Sequence, residues 1–163
     1  MNPIPSSTAD AAARTPTLAA EAREGLQALK AAVLAMPMAQ TLGLEFIHVE
    51  PGAVEISIPV KHAFCHRPGE LQATAVFAAA DFAAVAAAGS VLPPGWVNAT
   101  VDTTLKLVAP ARGTGLRARG RVVHAARLLT VCAADVFAVD AHGTETLCAT
   151  LLATARNIDM TRG

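Results

Sequence analysis

Charged residues are scarce in this chain, and neither sign is in excess. Of its 163 residues, 13 are Lys or Arg and 13 are Asp or Glu, so charged residues make up 16% and the formal net charge is zero. Proteins that bind nucleic acid usually need a clear excess of basic residues to contact the phosphates. The composition therefore argues against nucleic acid as the main partner.

The chain also has few signals for disulfides or metals. Its three cysteines are an odd number without CxxC spacing, and its five histidines lack HExxH or similar spacing. We expect the three cysteines to be reduced and to be small core residues, and we predict no metal site. Residues 1–16 contain no apolar segment typical of a secretory signal. Together with reduced cysteines, this predicts a cytoplasmic protein. The cysteines are Cys65, Cys132 and Cys148.

Apolar residues are abundant by comparison. They make up 53% of the chain, and 163 residues are enough for one domain with a substantial core. Because there are few charged residues to cover a monomer, we expect part of the apolar surface to be buried between subunits. The composition therefore predicts a homo-oligomer.

The first third of the chain changes from helical to strand-like patterning. Residues 1–15 are rich in Pro, Ser, Thr and Ala and are predicted to be a disordered arm, followed by a single domain over residues 16–160. Apolar positions at helical spacing predict a helix over residues 17–36, which Pro37 ends. Two strands then flank the turn dipeptide Pro51-Gly52, so a β-hairpin is predicted.

A long apolar segment occupies the middle of the chain. After a polar loop over residues 62–69, a helix is predicted from Glu70 to Val91, apolar on every face and therefore enclosed by protein. The central Asp81 and the residues Pro93-Pro94-Gly95 that follow argue against a membrane span. We accordingly predict no membrane partner.

The remaining chain alternates between apolar and polar residues with a period of two. Four strands are predicted, over residues 97–107, 116–122, 128–139 and 144–155, joined by turns short enough for antiparallel neighbours. The whole order predicts an α+β fold in which one curved antiparallel sheet wraps around a long buried central helix.

Asp81 is the only formal charge between Glu70 and Asp102. A carboxylate within an apolar helix is costly unless another group pairs with it or the function uses it. Because perturbed carboxylates concentrate at functional sites, Asp81 is the leading candidate for a catalytic residue. The alternative is a structural polar group at a subunit interface.

The segment 66–74, His-Arg-Pro-Gly-Glu-Leu-Gln-Ala-Thr, is followed by Asp81 nine residues after Gln72. This resembles the active-site segment of the phenylacetate-pathway type of acyl-CoA thioesterases, which have the hotdog fold. That family has Asn-x-x-Gly-x-x-His-Gly-Gly and a catalytic Asp or Glu nine residues after the His. Gly69 and Asp81 match, whereas the His-Gly-Gly signature is absent. At the other positions His66 replaces Asn, Gln72 replaces His, and Ala73 and Thr74 replace the two Gly.

Two later segments extend the resemblance over residues 38–156. Thr100-Val101-Asp102 is similar to the family's third strand, where a Thr or Ser often helps to hold the attacking water, and residues 109–111 are similar to the turn that follows. The resemblance implies hydrolysis of an acyl-CoA thioester, with coenzyme A as part of the substrate and no separate cofactor.

The resemblance also implies roles for individual residues. Asp81 would act as general base or nucleophile, and Thr100 would orient the water. The backbone N–H of Ala73, in the first turn of the helix, would stabilise the oxyanion, and Gln72 would still donate a hydrogen bond. The substrate-binding residues would be His66, Gly69 and Thr74.

In this family two subunits join their sheets. The resemblance therefore implies a dimer, or a dimer of dimers, whose active site lies between subunits with Asp81 of one chain facing the loop of the other.

Other interpretations remain open. The absence of the His-Gly-Gly signature favours a non-catalytic acyl-CoA-binding or regulatory hotdog protein. An enoyl-CoA hydratase with the same fold is the third interpretation, after the thioesterase and the binding protein. Gln72 and Thr74 can be ordinary first-turn residues, His66 a surface histidine, and Thr100 simply a good strand former. Arginines at positions 117, 119 and 121 lie on one strand face, either to meet coenzyme A phosphates or as a solvated face.

Overall fold

A computed structural model describes residues 8–161 of the chain. In chain order the elements are α1 (Thr8–Leu34), α2 (Pro37–Leu42), β1 (Glu45–Glu50), β2 (Ala53–Pro59), β3 (Cys65–Arg67), β4 (Glu70–Leu71), α3 (Ala73–Gly89), β5 (Trp96–Leu107), β6 (Gly115–Ala125), β7 (Leu129–Val139) and β8 (Glu145–Asp159).

Six of the strands form one antiparallel sheet in the order β1-β2-β6-β7-β8-β5. Helix α3 packs against β2, β5, β6, β7 and β8, so the sheet curves around it. The predicted α+β architecture, a curved antiparallel sheet around a central helix, is confirmed. The β1–β2 hairpin also turns where predicted, because Gly52 has a φ of 83°, which a glycine adopts without strain.

The N-terminal helix is longer than predicted. It begins at Thr8 rather than Thr17, and the alanines at positions 9 and 11–13 account for the extension because alanine has the highest helix propensity. The helix thus includes positions 8–15 of the predicted arm, and positions 1–7 lie outside the described residues. Pro37 does not only end this helix. It occupies the first turn of α2, where its missing N–H costs nothing.

The predicted loop over residues 62–69 has regular structure. One turn of 3₁₀ helix at His62–Phe64 leads into β3, which pairs with β4 through the turn at Pro68-Gly69. Gly69 has a φ of 70°, which allows this tight reversal. Because residues 70–71 belong to β4, helix α3 begins at Ala73 and not at Glu70.

Small side chains bring the central helix close to the sheet. Six alanines of α3 are fully buried against the strands: Ala79, Ala80, Ala83, Ala84, Ala87 and Ala88. Gly120 of β6 lies directly beneath this surface, and a Cβ at that position would overlap the carbonyl group of Ala83 and lie 2.8 Å from the Ala84 nitrogen. The helix therefore packs on the bare backbone of β6. No helix within the described residues is both long enough and apolar enough to span a membrane.

Candidate functional site

Asp81 accepts a hydrogen bond from a residue of β5, the edge strand of the sheet. The Thr100 Oγ1 on β5 donates a hydrogen bond of 3.0 Å to Asp81 Oδ1. The pairing of β5 with β8 shifts register between Thr100 and Asp102, so Val101 forms a β-bulge next to this contact. The structure thus brings together the two side chains that the sequence suggested would hold an attacking water.

The Asp81 side chain is partly buried. Burial raises the pKa of Asp81 above its usual range, and the hydrogen bond from Thr100 partly opposes that rise. Burial, with a contribution from the charge of Asp81, also raises the pKa of the Cys132 thiol on β7 to about 11. Asp81 is therefore a carboxylate of increased basicity, whereas Cys132 is held as a neutral thiol and is a poor nucleophile.

A second group of candidates lies at the start of α3. Gln72, Ala73 and Thr74 are all exposed there. The N–H groups of Ala75 and Val76 both bond to the Gln72 carbonyl, but none of the described residues accepts a hydrogen bond from the N–H of Ala73 or Thr74. Free N–H groups at the positive end of a helix dipole favour a developing negative charge.

A pocket of about 360 Å³ opens beside this helix start. Its walls come from the β3–β4 hairpin, the first turn of α3 and the segment 107–111 after β5. Most of the wall is apolar, and the polar side chains in it belong to His66 and Glu70. The lining residues are His66, Glu70, Leu71, Ala73, Val76 and residues 107–111.

The structure does not bring Asp81 into this pocket within one chain. Asp81 lies eight residues after Ala73 along α3, which corresponds to roughly 12 Å at 1.5 Å per residue. Thr74, Phe77 and Asp81 follow one another at helical spacing on one side of α3, and Phe77 is 38% exposed. The predicted site residues thus form two groups, one at the start of α3 and one at Asp81. The side of α3 between them is exposed at Thr74 and Phe77.

Glu70 is the centre of an ion cluster that the sequence did not reveal. Its side chain is only 7% exposed, and it bonds to Arg112 and, at 3.2 Å, to Arg67. His66 Nε2 lies 3.2 Å from the same carboxylate. The hydrogen bond from Arg112 holds the pKa of Glu70 below its usual range, so Glu70 is ionised at neutral pH. Arg112 lies within the turn predicted over residues 109–113, but no local pattern indicates a partner 42 residues away.

The arginines on β6 are paired with carboxylates. Arg117 and Arg119 both contact Glu55 and Glu145. Arg121 bonds to Asp135 at 3.1 Å. These pairings favour the interpretation of a charged sheet face over the binding of coenzyme A phosphates. Within residues 8–161, no three His, Cys, Asp or Glu side chains are grouped so that they can hold a metal ion.

Comparisons with known proteins identify the family through structure. No family model matches the sequence, and no curated protein does. Among solved structures, a thioesterase family protein from Silicibacter pomeroyi is 30% identical, with a TM-score of 0.78, and the match covers 82% of this chain and 97% of that one. The chain therefore belongs to the thioesterase family.

More distant structures share the fold. A thioesterase from Haemophilus influenzae is 21% identical, with a TM-score of 0.71 and coverage of 83% of this chain and 91% of that one. The E. coli PaaI protein from the phenylacetic acid degradation operon is 18% identical, with a TM-score of 0.70 and coverage of 85% and 94%. The predicted hotdog fold and the predicted resemblance to phenylacetate-pathway thioesterases are confirmed.

Proposed function

We propose that this protein hydrolyses an acyl-CoA thioester to a free acid and coenzyme A, with Asp81 as general base. The observation that carries the proposal is the bond between Thr100 and Asp81, within a chain of the thioesterase family. Burial makes this carboxylate more basic, and Thr100 supplies a second polar group beside it. Free thiols at all three cysteines are consistent with the cytoplasmic location that we include in the proposal.

The chemistry requires a water, a base and a stabiliser for the oxyanion. The water, held by Thr100 and Asp81, gives a proton to Asp81 as its oxygen attacks the thioester carbonyl carbon. The N–H of Ala73 stabilises the oxyanion, and Gln72 is an additional neutral donor beside it. The C–S bond then breaks, and the protonated Asp81 gives its proton to the thiolate of coenzyme A, which returns Asp81 to its ionised form. Direct attack by Asp81, through a mixed anhydride that water hydrolyses, is the alternative at the same residue.

Two chains are needed to assemble this site. Asp81 and Thr100 of one subunit would face the Ala73 N–H and the pocket of the other, which removes the gap found within one chain. The unpaired edge of β5 supports this arrangement, because β5 has 12 residues and pairs only with β8 among the described strands. Val97 and Val101 on this strand are 48% and 56% exposed. Such an edge is a ready template for pairing with a second copy.

A charge on this edge is expected to separate the subunits. We expect Val101→Lys to convert a dimer, or a dimer of dimers, to smaller species and to lower turnover, because lysine on an edge strand opposes pairing. Light scattering after size exclusion measures the mass, and an acyl-CoA assay measures turnover. Val123→Lys is the matched control, since Val123 is equally exposed at 56% but lies on β6. Unchanged mass for Val101→Lys would contradict the arrangement.

Thr100 is expected to control the pH at which Asp81 acts. In Thr100→Val the hydrogen bond that lowers the pKa of Asp81 is lost, so the acid limb of the kcat/KM profile should move to higher pH. We expect about a tenfold lower rate at neutral pH, the size expected for one hydrogen bond to a charged group. Thr100→Ser keeps the hydroxyl and should restore the profile. An unshifted profile in Thr100→Val would show that the hydroxyl does not act on Asp81.

The function itself is tested with a panel of acyl-CoA thioesters while free thiol is followed. Release above background from at least one ester supports hydrolysis. The second candidate is an acyl-CoA-binding module, favoured by Gln72 at the position of the family's His. Tight binding of the esters without thiol release from any of them would support that candidate.

A further inference from the structure

The ion-paired arginines form three groups, and one of them carries excess positive charge. Among the described residues, Arg117 and Arg119 share two glutamates, and Arg121 has one aspartate. Both of these groups are neutral. Arg67 and Arg112 share the single carboxylate of Glu70, so their group keeps a net charge of about +1.

The geometry leaves the outer part of both guanidinium groups available. Arg112 uses its Nε to bond Glu70, whereas Arg67 uses one Nη to bond Glu70 and its Nε to bond His66. The side chains of Arg112 and Arg67 are 64% and 60% exposed. None of the described residues accepts a hydrogen bond from the Nη groups of Arg112. Glu70 is itself almost completely buried, so it anchors the two arginines, whose side chains remain largely exposed.

The backbone fixes this cluster at the rim of the pocket. The Leu71 N–H bonds to the Ala111 carbonyl, and the Gly113 N–H bonds to the Gly69 carbonyl, so the turn before β6 runs alongside β4. Glu70 also forms an isolated β-bridge with Arg112. Glu70 lines the pocket and bonds to both arginines, so the cationic group lies next to the apolar wall of the pocket.

We propose that Arg67 and Arg112, positioned by Glu70, bind the phosphate groups of coenzyme A when its pantetheine arm enters the pocket. This rests on the proposed thioesterase function and deepens it. Guanidinium groups bind phosphate through paired N–H donors, and an arginine held in place loses less entropy on binding. Coenzyme A is uncharged along its pantetheine arm and anionic at its phosphates, which matches an apolar pocket wall with a cationic group beside it. The paired arginines of β6 have no such excess charge.

Equilibrium binding of coenzyme A and of pantetheine, which lacks both the phosphates and the adenosine, tests the proposal, and the arginine variants separate the effect of the phosphates from that of the adenosine. We expect wild-type protein to bind coenzyme A more tightly, and Arg67→Gln/Arg112→Gln to weaken coenzyme A binding by about tenfold or more. Pantetheine binding should not change, and higher salt should reduce the wild-type preference. Arg112→Gln alone should give an intermediate loss. Arg121→Gln, which removes an arginine from a neutral pair, is the control and should leave both affinities unchanged.

Equal wild-type affinities for the two ligands, no binding of coenzyme A, or an equal loss in Arg121→Gln would each overturn the proposal. Response of an acyl carrier protein, but not of free coenzyme A, to the double variant would also overturn it. The thioesterase proposal is judged separately by hydrolysis of a phosphate-free pantetheine thioester. If that ester is hydrolysed but the arginine substitutions do not change coenzyme A binding, the thioesterase proposal holds and the proposed phosphate site is wrong.

Discussion

Asp81→Asn is expected to lower kcat for thioester hydrolysis by about 100- to 10,000-fold, the range that a positioned general base contributes. Asparagine keeps the shape of aspartate, and its Oδ1 still accepts the hydrogen bond from Thr100, but it cannot take a proton from water. The measurement is steady-state thiol release with the best acyl-CoA ester of the panel. Equal kcat in wild type and Asp81→Asn would remove Asp81 from the mechanism.

The stability of the same variant separates a catalytic from a structural role. Because burial raises the pKa of Asp81 in the folded state, the stability contributed by the protonated form is fully present below the unfolded pKa. It is lost as the pH rises through the raised folded pKa, so the ionised carboxylate destabilises the fold at neutral pH. We therefore expect the Tm of Asp81→Asn at pH 7 to equal or exceed that of wild type. A marked fall in Tm would indicate that Asp81 holds the structure together.

Gly120→Ala is expected to reduce the free energy of unfolding by about 1–3 kcal/mol or more, as overpacking does in a filled core. The new methyl group would overlap the backbone of α3 at Ala83, and neither the helix nor β6 can move without disturbing neighbours. Because Ala83 is two residues after Asp81, we also expect lower turnover. Chemical denaturation and the thiol assay measure the two effects.

Gly25→Ala is the matched control for that substitution. Gly25 lies in α1, is exposed, and has no heavy atom within 4 Å of where its Cβ would stand. Alanine should therefore stabilise the helix by up to about 1 kcal/mol. Equal stability of Gly120→Ala and wild type would show that α3 does not rest on the backbone of β6.

Much of the fold is predictable because its elements are long and strongly patterned. The strands β5–β8 are indicated by their period-two pattern, the helix α3 by its long apolar segment, and the first hairpin by the Pro51-Gly52 turn. The β3–β4 hairpin escaped prediction because its strands have only three and two residues. Their pairing also depends on residues of the later turn, beside Arg112.

The candidate site was predicted in part. The spacing of Asp81 from the segment at the helix start indicated both groups of residues, and the resemblance placed Thr100 beside Asp81. The separation of these two groups along α3 follows from the predicted helix, and the resemblance implied that Asp81 of one chain faces the loop of the other. The sequence does not show the partners of the arginines, since each pair joins distant strands or loops.

The bulge at Val101 sets two halves of β5 out of phase. Before it, the even-numbered Asn98 and Thr100 face α3, where they bond to the Val85 carbonyl and to Asp81. After it, the odd-numbered Leu105 packs against the core, opposite the buried Leu151. In a regular strand either the even-numbered or the odd-numbered side chains face the core. Without the bulge, therefore, either Leu105 would leave the core or Thr100 would turn away from Asp81. One inserted residue thus allows the same strand to pack Leu105 into the core at one end and to place the Thr100 hydroxyl beside the Asp81 carboxylate at the other.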